Sequence, residues 1–184
     1  TINGSGSLKS KKIKNVSICK IGGSGDLLVS KIEATDFTVQ IEGSGSATID
    51  SVNASNITFM IDGSGNIINK HSNATNAINK IEGSGNIKTT IVCNSYDAQF
   101  EGSGNIDITG NCKNANININ SSGDFNGFNF LIKNCNAEIN GSGSVKVTVF
   151  DKLTASINGS GSIVYDGNPL ISERITGSGS IKKR

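Results

Sequence analysis

The segment Val39–Ile49 reads VQIEGSGSATI and contains the pattern that decides the fold. Apolar and polar residues alternate on both sides of its Gly-Ser-Gly tripeptide, which is the two-residue period of a β-strand. The alternation keeps its parity through the tripeptide, so both glycines lie on the apolar side and the serine lies on the polar side. We therefore expect the glycines to face inward, where neighbouring backbone leaves no room for a side chain.

The tripeptide recurs along the whole chain at intervals of 18 to 20 residues. Nine copies and the degenerate Ser121-Ser122-Gly123 begin at Gly4, Gly23, Gly43, Gly63, Gly83, Gly102, Ser121, Gly141, Gly159 and Gly177. One copy cannot bury its apolar face alone, but stacked copies close a continuous core. The sequence therefore predicts an all-β protein, a right-handed, single-stranded parallel β-helix (β-solenoid) of about ten turns with 18–20 residues per turn. Because no interval leaves room for a linker, we expect one domain over residues 1–184.

Two further apolar columns complete each predicted turn. The column six residues before the first glycine contains Phe37, Ile57, Ala77, Tyr96, Ala115, Cys135, Leu153 and Ile171. The column nine residues after it contains Ile32, Val52, Val92, Phe130 and Phe150. Stacked helical repeats are the main structural alternative, but the β-branched residues at period two and the 23 glycines argue against helices.

Composition and charge exclude several classes of function. The 17 basic and 15 acidic residues give a net charge of +2, and no Arg-rich segment with interspersed aromatics is present, so we expect no nucleic-acid partner. No apolar run approaches the roughly 20 residues that span a bilayer. Membrane attachment would therefore need an anchor that is not present in this chain. The chain starts inside a repeat, and no signal peptide is recognisable.

The repeat unit, Ile-x-Gly-Ser-Gly, then Ser, Asp or Asn, then Ile, Leu or Val, resembles the head GIN domain family of auto-transporter adhesins, which is common in Bacteroidetes. The closing segments Tyr165–Pro169 and Ile175–Ile181 are similar to the end of that family's pattern. The resemblance covers nearly the whole chain. It implies a right-handed β-helix, an extracellular or cell-envelope location and an adhesin-like role. It provides no catalytic residues to transfer, and the family's usual secretion signal is not visible here.

An acidic residue directly precedes four successive Gly-Ser-Gly tripeptides. These residues, called the acidic column below, are Glu42, Asp62, Glu82 and Glu101. In a stacked solenoid they would point outward about 5 Å apart, where neighbouring carboxylates repel by about 0.8 kcal/mol even in water. One interpretation is a site for a divalent cation or a cationic partner. The other is a solvated face that is partly neutralised by Lys20, Lys80 and Lys88.

The four cysteines do not indicate a metal site, because no Cys-x-x-Cys pair and no histidine cluster is present. We expect no metal and no cofactor. Cys93 and Cys112 each lie ten residues after a first glycine, so they should be stacked neighbours at a separation that permits a disulfide. Free stacked thiols are equally consistent with this spacing. Cys19 and Cys135 lie in apolar columns and should be small buried residues.

Outward serine and asparagine side chains should form ladders that hydrogen-bond along the stack. Such ladders either stabilise the rod or present a polar wall to carbohydrate, although the aromatic platform of a sugar site could come only from Tyr96 or Tyr165.

The only histidine, His71, has no partner for catalysis, and turns of nearly constant length leave no loop for a cleft.

The sequence therefore predicts a protein that is not an enzyme. We expect a non-catalytic extracellular or cell-envelope module, a monomer or small oligomer, that serves adhesin-like binding to carbohydrate or a cell-surface protein, or acts as a structural scaffold. A carbohydrate-active β-helix enzyme of the polysaccharide lyase or hydrolase kind is one alternative. A structural filament subunit is the other, which the basic residues at both ends argue against.

Overall fold

The computed structural model describes Thr1–Arg184 and contains strands but no helix. The strands are β1 (Leu8–Lys14), β2 (Ile18–Ile21), β3 (Asp26–Glu33), β4 (Asp36–Ile41), β5 (Ser46–Asn53), β6 (Asn56–Ile61), β7 (Asn66–Asn73), β8 (Asn76–Ile81), β9 (Asn86–Phe100), β10 (Asn105–Ile119), β11 (Asp124–Gly141), β12 (Ser144–Gly159), β13 (Ser162–Asp166), β14 (Leu170–Gly177) and β15 (Ser180–Lys183). No helix is available to cross a membrane.

The strands coil into a parallel β-solenoid. Strands that follow each Gly-Ser-Gly tripeptide form a first wall in the order β1-β3-β5-β7-β9-β10-β11-β12-β13-β15. Strands that precede the tripeptide form a second wall, in which β2, β4, β6 and β8 lead into the later halves of β9 to β12 and then to β14. Ten copies of the tripeptide delimit about nine turns, close to the ten expected from the sequence.

The register joins residues that lie one repeat apart, as in the pairs Leu27↔Ala47 and Ile41↔Ile61. The repeat length therefore sets the pairing, and each inward side chain packs on its equivalent in the next turn. The inward residues form one core cluster of 42 buried side chains. This continuous core confirms the solenoid that the alternating pattern predicts.

The predicted core columns are confirmed except where the turn length changes or the stack ends. In the column six residues before the glycine, only Ile171 is exposed, because no further turn covers it. In the other column, the burial predicted for Val92 and Phe150 is wrong, since their side chains are 41% and 49% exposed. Ile91 and Val149 occupy the inward positions instead. The turns that begin at Gly83 and Gly141 have 19 and 18 residues rather than 20, so a count of nine passes the inward position.

The inward glycines lie where neighbouring backbone leaves no room for a side chain, as expected. A Cβ atom at Gly65 would lie 2.1 Å from the Gly45 carbonyl oxygen and 2.7 Å from Ile41 Cγ2. The obstacle belongs to the preceding turn, so the constraint comes from stacking. At Gly6, which has no turn before it, a Cβ would meet nothing within 4 Å.

A layer of buried polar side chains interrupts the apolar core near the middle of the rod. Ser72 Oγ donates to Asn69 Oδ1 at 2.6 Å, and Thr89 Oγ1 donates to the same oxygen at 3.0 Å. On the second wall, Asn79 Nδ2 donates to the Tyr96 hydroxyl at 2.8 Å. These groups satisfy one another, as burial requires. Ser72 takes part in this layer because residues 70–73 lie within β7, where Ser72 occupies the core column.

The last rung differs from the others at two inward positions. Glu173 stacks on Ala155, and Lys183 stacks on Tyr165, so charged residues occupy columns that hold uncharged residues elsewhere. Inward-pointing charge on a terminal rung opposes the addition of another strand layer.

Candidate functional site

The four residues of the acidic column lie on successive rungs of the stack. The backbone amides of Asp62 and Glu82 donate to the carbonyls of Ile41 and Ile61, each 2.8 Å away in the preceding turn. Glu42 and Glu101 make the equivalent bonds at 2.9 Å. The structure therefore brings the four predicted residues together in one column.

Most of these carboxylates already have partners within the chain. Lys20 forms an ion pair with Glu42, and Lys80 forms one with Glu82. The hydrogen bond that Lys80 donates to Glu82 within this ion pair raises the pKa of Lys80. Asn120 Nδ2 donates to Glu101 Oε1 at 2.9 Å, an interaction that the sequence pattern did not reveal.

Gln40 joins two members of the column. Its Nε2 donates to Glu42 Oε1 at 3.0 Å and to Asp62 Oδ2 at 2.9 Å. Asp62 Oδ1 is buried and has no hydrogen-bond partner. The neutralising role expected of Lys88 is wrong, because Lys88 pairs in register with Asp107 on the first wall and forms no ion pair with the column. No group of three His, Cys, Asp or Glu side chains is arranged to hold a metal ion. Cation binding by the column stays a prediction.

Asparagine side chains form hydrogen-bonded ladders along the outside of the rod, called the amide ladders below. In each ladder the Nδ2 group of one turn donates to the side-chain oxygen of the turn before it, at 2.6 to 3.1 Å. The ladders are Asp36-Asn56-Asn76, Asn66-Asn86-Asn105, Asp97-Asn116-Asn136 and Glu101-Asn120-Asn140. Three of the four begin at an acidic residue, which accepts a bond and donates none.

The predicted alignment of Cys93 with Cys112 is confirmed, because the two residues are register partners on β9 and β10. Their side chains are 6% and 4% exposed, and both thiols are free. Cys135 is buried and Cys19 is half-buried. Cys93 and Cys112 line a groove of about 370 Å³, called the corner groove below. Its sides carry the exposed residues Val92, Leu131, Phe150, Lys113 and Lys133.

The aromatic residues do not form the sugar platform that the sequence left open. Tyr96 is buried, and its hydroxyl accepts a hydrogen bond within the core. Tyr165 packs half-buried against the core. Phe150 is the most exposed aromatic ring on the solenoid sides, and the sequence missed it because its spacing suggested a core position.

The continuous parallel stack, the inward glycines and the outward polar ladders define a parallel β-solenoid with polar outer walls. The chain belongs to the family described as "Putative auto-transporter adhesin, head GIN domain", whose model matches residues 59–169. No curated protein matches the chain.

Solved structures show the same fold. A "putative lipid binding protein" from Parabacteroides distasonis is 28% identical, with a TM-score of 0.67, over 92% of this chain and 62% of that one. A "putative adhesin" from the same species is 23% identical, with a TM-score of 0.60, over 92% and 64%. A "putative adhesin" from Parabacteroides merdae is 19% identical, with a TM-score of 0.60, over 85% and 64%. The chain thus spans less than two thirds of each of these structures.

Proposed function

We propose that this chain is a non-catalytic module of the cell surface or cell envelope that binds its partner along the sides of the rod. The observation that carries the proposal is the set of amide ladders, which runs along the outside of a solenoid belonging to an adhesin family. The family description suggests the cell surface as the location.

Three further features support a role without catalysis. His71 is exposed on β7, with no hydrogen bond or ion pair from its ring to an acidic group. The repeat interval varies by only two residues, so no long loop rises beside the walls to enclose a substrate. Most residues of the acidic column are engaged by lysine or amide partners. The column therefore offers no free pair of carboxyl groups to act as the acid and base of glycoside hydrolysis.

Carbohydrate is the ligand class that we propose first for the amide ladders. The interior asparagines, Asn56, Asn86, Asn116 and Asn120, each use one amide hydrogen and one lone pair within a ladder, so a second donor and a second acceptor remain for a ligand. These groups recur about every 4.8 Å along the rod. A sugar polymer presents hydroxyl groups that can both donate to and accept from such an array.

A glycan array, probed with and without calcium, tests this proposal. We expect selective binding that falls when one ladder is shortened, either by Asn116→Ala with Asn136→Ala on the second wall or by Asn86→Ala with Asn105→Ala on the first. Each pair is the control for the other, because both remove one exposed and one half-buried amide. Equal binding by both double variants and the parent chain would contradict recognition by these ladders. Absence of any glycan binding would favour a scaffold.

Calcium provides a separate test of the acidic column. If the column takes up the cation, titration should release heat and raise the melting temperature, and Glu42→Gln with Glu82→Gln should abolish both effects. A titration of the parent chain without heat or a melting shift would exclude this role.

We also propose that residues 1–184 unfold as one domain, which a single thermal transition would support and two separated transitions would contradict.

An anionic amphiphile is a second candidate ligand, favoured by the corner groove. The groove combines three exposed apolar side chains with the ammonium groups of Lys113 and Lys133, and one similar structure is described as a putative lipid binding protein. We expect the chain to float with phosphatidylglycerol vesicles and Phe150→Ser to weaken this binding. Ile78→Ser, at a similarly exposed apolar residue on the second wall, is the control. Equal loss in both variants would contradict binding at the groove.

A further inference from the structure

The Cys93 and Cys112 thiols form a pair of a kind that occurs once in the molecule. The two residues are direct register partners on neighbouring parallel strands. Paired strands are about 4.8 Å apart, which is within the range of about 4.4–6.8 Å that a disulfide requires between Cα atoms. Since both side chains leave their strands on the same face, closing a bond between the sulfurs requires no displacement of one strand past the other.

The other two cysteines lack such a partner. Cys135 is in register with Ala115 and Leu153, and Cys19 is in register with Val39. Burial raises the pKa of Cys135 to about 12, so this thiol stays protonated and unreactive. The chain thus contains two cysteines aligned for a disulfide and two internal controls of the same residue type.

We propose that Cys93 and Cys112 form a redox-controlled disulfide that joins two successive turns of the solenoid. In reducing conditions the thiols stay free, as the structure has them. In oxidising conditions the new bond closes a ring of one complete turn. The proposal is independent of the ligand that the sides of the rod bind.

The contacts of the pair indicate which thiol reacts first. A hydrogen bond with the Cys93 thiol lowers the pKa of Cys112, while the same contact together with burial raises that of Cys93. Cys112 is therefore the better source of the thiolate, which is the nucleophile in thiol–disulfide exchange. Both thiols line the corner groove, through which a small oxidant can approach.

The reaction is a two-step exchange with a disulfide oxidant. Cys112 loses its proton, and its thiolate attacks one sulfur of the oxidant, which forms a mixed disulfide and releases the first thiolate. Cys93 then loses its proton and attacks Cys112 Sγ, which breaks the mixed disulfide and releases the second thiolate. Two electrons pass to the oxidant, and the two protons from the cysteines convert its halves to thiols.

The position of the pair gives the bond a structural consequence. In a stack, each turn is stabilised mainly by its two neighbours. The turn that carries Asn69, Ser72 and Asn79 has the buried polar layer, so it contributes less apolar contact to its neighbours than the others. The proposed disulfide lies directly after this layer. It would hold together the middle of the rod, where the apolar stack is interrupted.

The test compares the native chain after incubation with 2-hydroxyethyl disulfide, a small uncharged oxidant, and after reduction. We expect the number of free thiols, measured in denaturant, to fall from four to two. The mass should fall by about 2 Da relative to the reduced chain, since two hydrogens leave. Peptide mapping should link Cys93 to Cys112. The oxidised form should melt on the order of 5–10 °C higher, for a closed ring of about 20 residues.

Two double variants complete the design. Cys19→Ser with Cys135→Ser should form the bond and keep the melting shift, whereas Cys93→Ser with Cys112→Ser should lose both. Three outcomes would overturn the proposal. They are four remaining thiols in the oxidised parent chain, a persistent mixed disulfide, and a linkage that involves Cys19 or Cys135. If the Cys93 and Cys112 variant does not fold, thiol counting and peptide mapping of the parent chain still decide the outcome.

Discussion

Substitution of one inward glycine should show how strongly stacking constrains the repeat. In Gly65→Ala, the new Cβ would lie 2.1 Å from the Gly45 carbonyl oxygen, whereas an ordinary contact begins at 3.4 Å. The two turns must therefore separate locally by about 1.3 Å, and this separation stretches the backbone hydrogen bonds beside the tripeptide. Gly6→Ala is the matched control, since it alters the same position of the motif where no turn precedes it.

The loss of folding stability in Gly65→Ala depends on whether the atoms that the new Cβ meets can move away. Overpacking of a folded core costs about 1–3 kcal/mol. The obstacle at Gly65 is backbone rather than a flexible side chain, so we place the cost at the upper end or slightly above it. Alanine loses less entropy on folding than glycine, which offsets about 0.4–1 kcal/mol. The net loss is about 2–3 kcal/mol, which lowers the melting temperature by about 5–10 °C for a chain of this size.

Thermal unfolding followed by circular dichroism measures the effect in both variants. We expect Gly6→Ala to melt within about 2 °C of the parent chain, or slightly above it, because only the entropy of the unfolded chain changes. The reasoning would be refuted if both substitutions lowered the melting temperature equally. Such a result would mean that glycine is required for backbone conformation rather than for the close approach of two turns.

Three other predictions address the core, the surface charges and the ends of the rod. Tyr96→Phe should destabilise the chain by about 1–3 kcal/mol in urea unfolding, because the Asn79 amide loses its buried partner; adding Asn79→Leu should recover part of the loss, and a further loss would contradict this account. A hydrogen bond from Lys12 is the main cause that lowers the pKa of Glu33 from 4.5 to about 2. The ionised Glu33 therefore stabilises the folded chain above pH 4.5, and this stabilisation is lost as the pH falls through 2. Melting temperatures across this interval should change less in Glu33→Gln, and identical profiles would exclude the effect. Negative-stain microscopy at low salt should show no fibres, because both ends are basic and the last rung has charged residues in core columns; long fibres there would refute this prediction.

The fold could be predicted because the period of two and the period of the tripeptide report the same structure. Alternation identifies the inward side chains, and the repeat identifies their neighbours in the next turn. Val92 and Phe150 show where this reasoning fails. A missing residue near a corner reverses which of two adjacent apolar residues faces inward, and nothing in a count from the preceding glycine reveals where the residue is missing.

The candidate surfaces were predicted less completely. The acidic column follows from the repeat, since its members hold equivalent positions. Their partners do not, because Gln40 and Asn120 reach them through side-chain conformations that a sequence does not specify. The buried layer of Asn69 and Asn79 was also missed, because a pattern read from apolar residues ignores the polar residues that replace them.

The amide ladders give the rod a direction. Every side-chain amide in a ladder donates toward the amino-terminal end of the stack, so its carbonyl dipole points the other way. A polymer lying along the rod would therefore meet a different arrangement of donors and acceptors in each of its two orientations. The surface can distinguish the two ends of an extended ligand, although each turn repeats the chemistry of the one before.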